Sequence, residues 1–122
     1  MPVARISKEE LKQQLETGAG AIAIVDARLK YAFEHSTVKL PGSIRVPPGA
    51  GDFSALPRDL DIVVYDSDPD EITAAALAAT LGKQGYRVRV LEGGIAAWMG
   101  ANLPVEAKSA PRPTPPQPAA KS

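Results

Sequence analysis

From Asp66 to Thr73 the chain reads Asp-Ser-Asp-Pro-Asp-Glu-Ile-Thr, a run with four carboxylates and no lysine or arginine. Alternating carboxylates suit a hard cation, and a carboxylate beside bound magnesium can attack phosphorus. A calcium loop is a poorer match. Counted from Asp66, its sixth place needs glycine and its twelfth a bidentate glutamate, but the chain has Glu71 and Leu77 there. Thiol chemistry is ruled out altogether. The chain has no cysteine, hence no disulfide, thiolate metal site or thiol nucleophile. A second charged group, Asp26-Ala27-Arg28, is either a substrate-side pair or a tie between strand ends. His35 is the only histidine and reads as a solvated loop side chain.

Much of the acidic run is explained by helix initiation. Asp68 can cap a helix, Pro69 suits its first position, and Asp70 and Glu71 suit its first turn. Asp66 lies before the cap, and helix initiation leaves it unexplained.

The elements that would position these residues alternate in type. Ser7 and Glu10 make a capping box, with Leu11 and Leu15 on one stripe and Gly18 and Gly20 ending the helix. Ala21–Val25 and Ile62–Tyr65 are short apolar runs of buried-strand character, each ending in one of the charged groups. A short helix is expected around Tyr31–Glu34, a loop from His35 to Leu40, a strand near Ser43–Val46 and a helical turn near Phe53–Leu56. A helix follows from about Pro69 to Gln84, with Gly85 just past its end. Arg87–Leu91 alternates like a strand nearer an edge, and Gly93-Gly94 opens a last helix with Trp98 as a core residue. Strands alternating with helices imply a parallel sheet covered on both faces. Ligands of such sheets bind beyond the carboxyl ends of the strands, where both charged groups fall.

In this order the motifs resemble the rhodanese family. Its strand ending Asp-x-Arg is matched by Val25-Asp26-Ala27-Arg28, and its Pro-Gly-Ala/Ser segment by Pro41-Gly42-Ser43-Ile44. The strand before the active loop is matched by Ile62-Val63-Val64-Tyr65. The Gly-Tyr…Leu-x-Gly-Gly-x-x-x-Trp segment is matched from Gly85 to Trp98, and the Gly-Leu-Pro-Val ending loosely by Asn102-Leu103-Pro104-Val105. The resemblance spans roughly residues 5 to 106. It implies a three-layer α/β domain around a mostly parallel five-stranded sheet covered by helices on both faces.

One branch of the family has a loop reading Cys-x-Cys-Pro-Asn/Asp-Glu-x-Thr. Here that frame is Asp66-Ser67-Asp68-Pro69-Asp70-Glu71-Ile72-Thr73, with aspartate at both cysteine positions. The family's mechanism, as the resemblance implies it, is attack of a thiolate on a sulfane sulfur, storage as a persulfide and transfer to a nucleophile. Asp66 cannot hold a persulfide. Each loop carboxylate would also repel an anionic donor by about 2–3 kcal/mol at ~6 Å and an effective dielectric of ~20, before screening. Attraction to a helix start, ~0.3–1 kcal/mol per charge, does not offset that.

The expectation is a catalytically inactive rhodanese-like domain that binds or regulates through the degenerate loop Asp66–Thr73, with Asp26 and Arg28 at a pocket rim. No catalytic residue, metal or cofactor is expected. The partner is an unidentified protein or small ligand. Two alternatives remain. Four apolar residues before Asp66-Ser67-Asp68 also resemble the first motif of haloacid-dehalogenase-type phosphatases, which would make Asp66 and Asp68 a magnesium-dependent pair. The chain could also be a cysteine-to-aspartate variant of an active thiosulfate sulfurtransferase.

Composition narrows the setting. The chain has 122 residues, 44% hydrophobic and with zero formal net charge, enough for one core and without the basic excess that marks nucleic-acid binding. No apolar run is long enough to span a membrane or serve as a signal-peptide core, so the expected location is cytoplasmic. The domain is expected to occupy residues 1–106. Residues 107–122, rich in proline and alanine and lacking large apolar side chains, are expected to be a disordered tail.

Overall fold

The computed structural model describes residues 4–17, 22–46, 53, 56–67 and 72–107. The first helix forms where the capping residues predict it. β1 (Arg5–Ile6) leads into α1 (Lys8–Thr17), and Ser7 Oγ accepts the Glu10 N–H at 3.1 Å. The Glu10 carboxylate turns along the surface, 3.4 Å from Gln14 Nε2 and 3.6 Å from Arg89 Nη1. Leu11 is fully buried, whereas Leu15, on the same stripe, is partly exposed.

The remaining elements are β2 (Ile22–Asp26), α2 (Lys30–His35), β3 (Val38–Lys39), β4 (Ile44–Arg45), β5 (Asp61–Tyr65), α3 (Ile72–Lys83), β6 (Arg87–Leu91), α4 (Gly94–Gly100) and β7 (Glu106–Ala107). Five strands form one sheet in the order β1-β6-β5-β2-β4, and every pairing in it is parallel. β6 is therefore next to an edge strand. β2 and β5 run in register from Ile22↔Asp61 to Asp26↔Tyr65, so their carboxyl ends, with the charged groups that follow, lie side by side.

Strand side chains alternate between the two faces, and the core divides accordingly. Ala23, Val25, Ile62 and Val64 join Ala74, Leu77, Ala78 and Leu81 of α3 on one face. Ile24, Val63 and Tyr65 join Leu11 of α1 and Ile95 and Trp98 of α4 on the other. Small Ala74 and Ala78 let the α3 backbone lie close to the sheet. Trp98 is buried as expected, and its Nε1–H donates to the Pro104 carbonyl at 2.6 Å. Gly85 takes φ +96° just past α3, the left-handed turn expected of a helix-ending glycine.

One expectation needs adjustment. The stretch from His35 to Leu40 is not all loop, because β3 pairs antiparallel with β7, Val38 opposite Ala107 and Lys39 opposite Glu106. Its partner lies far along the chain, so no local pattern announces it. The same pairing places Glu106 and Ala107 in a short strand. α3 is described from Ile72; its expected start at Pro69, Asp70 and Glu71 lies outside the described residues, as does the tail from 108. Near the expected turn at Phe53–Leu56, the Leu56 N–H donates to the Phe53 carbonyl at 3.0 Å. No helix among the described residues is long and apolar enough to cross a membrane.

Candidate functional site at the carboxyl edge of the sheet

The carboxyl ends of β2 and β5 are locked together by a polar cluster. Arg28 grips the Asp26 carboxylate in a fork: Nε donates to Oδ1 at 3.0 Å and to Oδ2 at 3.1 Å, and Nη2 to Oδ2 at 2.7 Å. The Arg28 backbone N–H adds a bond to Oδ1 at 3.0 Å. The Tyr65 hydroxyl donates to Oδ2 at 2.8 Å and accepts the Leu40 N–H at 3.2 Å. Ser43 Oγ lies 3.4 Å from the same hydroxyl. A carboxylate has about four acceptor positions, and these bonds fill them.

Asp26 and Arg28 are each 1% exposed. As a pocket rim, the pair offers a substrate almost no surface. Its geometry is that of a tie, since Arg28 Nη2 also reaches the Val38 carbonyl at 3.0 Å. Arg45 extends the tie: its guanidinium bonds to the Asp26 carbonyl at 3.3 Å and to the Arg28 carbonyl, and stacks 4.1 Å from the Phe33 ring centroid. Burial pulls Arg45 below its ordinary pKa, with Asp26 opposing. Burial, reinforced by Asp26, pushes the Tyr65 hydroxyl well above the usual tyrosine range, so it remains a neutral donor. Sequence reasoning missed Tyr65, Ser43 and Arg45. The available signal was Tyr65 itself, a hydroxyl at the end of a buried strand that must find a partner.

Asp66 follows Tyr65 and points to the opposite, α3 face of the sheet. It is 1% exposed. Its Oδ2 accepts the Ala74 N–H at 2.6 Å, and its backbone carbonyl accepts the Ile95 N–H at 2.8 Å. Gly94, at φ +62°, lets α4 begin against it, because a Cβ there would collide with the Asp66 carbonyl oxygen and stand 3.3 Å from Oδ1. Gly94→Ala is expected to cost about 2–4 kcal/mol, from left-handed strain and overlap with backbone that cannot yield. Urea unfolding measures this, and a cost below ~1 kcal/mol would mean α4 can shift away.

Ile72 is exposed and Thr73 opens α3 beside it. Asp68, Pro69, Asp70 and Glu71 lie outside the described residues, so their expected capping roles are not placed. His35 is exposed; it stacks on Tyr31 with ring centroids 4.0 Å apart and its Nδ1 lies 3.0 Å from the Tyr31 carbonyl. A separate apolar cleft of about 350 Å³ lies on the α1–α4 face, lined by Lys12, Leu15, Glu16, Pro41, Trp98 and Pro104. It shares no residue with the charged groups at the strand ends.

A parallel sheet packed on both faces, with acidic side chains buried at its carboxyl edge, defines the class. The profile of the rhodanese-like domain matches residues 7–101, and the chain belongs to that family. Among solved structures, it is similar to the BH2092 protein of Bacillus halodurans at 26% identity and TM-score 0.75, covering 85% of this chain and 77% of that one. A protein from Lactobacillus plantarum shares the fold at 23% identity and TM-score 0.77, covering 84% and 87%. A rhodanese-like domain protein from Staphylococcus aureus does so at 22% identity and TM-score 0.70, covering 88% and 100%. No curated protein sequence matches the chain.

Proposed function

We propose that this domain is a catalytically silent rhodanese-like module, acting through binding at the segment that begins at Asp66. The observation that carries the reading is the buried side chain of Asp66, just past β5 and bonded to α3, in a chain with no cysteine anywhere. Sulfur transfer by the family's route needs a polarizable thiolate that forms an S–S bond with the donor and breaks it again. A carboxylate oxygen forms no such stable link. The reading takes the module as residues 1–106 and its setting as cytoplasmic. Four carboxylates within residues 66–71, with no basic residue among them, favour a partner that presents a cationic surface.

The deciding experiment is transfer of sulfur from thiosulfate to cyanide by the purified chain, beside an active rhodanese. A rate indistinguishable from the uncatalysed reaction is expected. Clear turnover would overturn the silent reading, since no thiol in this chain could carry the sulfur.

A further inference from the structure

We infer that Asp66 serves as a long-range cap for helix α3, so that the side chain at the head of the site is a structural clamp. The inference stands on geometry alone and holds whether or not the domain proves silent in sulfur transfer.

The first amides of a helix have no partner within it. Ala74 is the third described residue of α3, and its N–H is satisfied from outside the helix by Asp66 Oδ2 at 2.6 Å. Ordinary caps come from the residue just before the helix and reach two or three places along. This one comes from eight residues back, at the end of β5. It therefore ties α3 to the sheet as well as satisfying an amide. Asp66 is only 1% exposed, so water cannot readily replace it. The same residue holds α4 by a different atom: its backbone carbonyl accepts the Ile95 N–H at 2.8 Å. One residue thus joins β5, α3 and α4, through the side chain to one helix and through the main chain to the other.

That division gives the test an internal control. Amide hydrogen exchange is measured on the full chain and on Asp66→Ala. Removal of the carboxylate is expected to speed exchange of the Ala74 amide roughly 10- to 100-fold, and of the Ile95 amide by less than about 3-fold, because its acceptor is still present. Asp66→Asn keeps the shape with a neutral acceptor, and serves if the alanine variant does not fold. It is expected to show the same preference for Ala74 at roughly 3- to 10-fold. An unchanged Ala74 amide, or equal acceleration at Ala74 and Ile95, would overturn the inference. Neither result bears on the sulfur-transfer assay, so failure of the clamp and failure of the silent reading are distinguishable.

Discussion

Arg28→Ala should remove about 3–5 kcal/mol of folding stability, the range for breaking a buried ion pair from one side. The cost comes from what remains. Asp26 keeps a carboxylate that is 1% exposed and has lost the fork and the 2.7 Å contact to Nη2. The Val38 carbonyl loses one of two donors, keeping the Ser36 hydroxyl at 2.9 Å, and the cation that lay 5.3 Å from the Phe33 ring centroid and 5.6 Å from that of Tyr65 is gone. Against a total of about 5–15 kcal/mol for a domain, such a loss leaves the fold marginal. Arg28→Lys should be milder but still costly, because an ammonium cannot reproduce the planar fork. Replacing both members, Asp26→Leu with Arg28→Met, should cost less than Arg28→Ala alone, since no buried charge is stranded. Urea unfolding of the three variants checks the order. A loss below ~1 kcal/mol for Arg28→Ala would mean that water reaches Asp26 in solution.

The second large effect concerns restoring the nucleophile. Asp66→Cys is expected to stay at least ~100-fold below an active family member in thiosulfate–cyanide transfer. Asp68, Asp70 and Glu71 remain, and at about 2–3 kcal/mol each before screening, two or three of them raise the barrier for an anionic donor by that much or more. The substitution also exchanges the carboxylate that accepts the Ala74 N–H for sulfur, a weaker acceptor. Replacing the three remaining acids with neutral residues in the Asp66→Cys background should raise the rate, and more so at low ionic strength. Robust turnover by Asp66→Cys alone would show that electrostatic exclusion of the donor is the wrong account.

The parts of the fold that were legible in the sequence are those in which local pattern and final environment agree. Ile62–Tyr65 is apolar because β5 is buried on both faces, and the Ser7 cap acts within its own helix. The β3–β7 ribbon was hidden because two-residue strands carry no periodicity, and their pairing is helped by contacts distant in sequence: Glu106 accepts the Gly42 N–H at 2.8 Å and meets Lys39 Nζ at 3.4 Å. At the site, the sequence placed Asp26, Arg28 and Asp66 at strand ends, and the structure makes those strands neighbours. It did not reveal which way each side chain turns. Successive residues point to opposite faces, so Tyr65 joins the Asp26–Arg28 tie beneath one layer while Asp66 serves α3 in the other. The spacing puts both charged groups at one edge of the sheet; the pleat turns them into two arrangements on opposite faces.

The strand order also bears on how the protein behaves in company. A sheet edge presents unpaired peptide groups on which another chain can template. Here both outermost strands, β1 and β4, are two residues long, while the three five-residue strands all lie inside. Along the described residues of either border, a foreign strand would find room for only a few backbone hydrogen bonds. A parallel sheet rich in valine and isoleucine would otherwise invite stacking into fibres, and the brevity of its borders is a safeguard against self-association at high concentration.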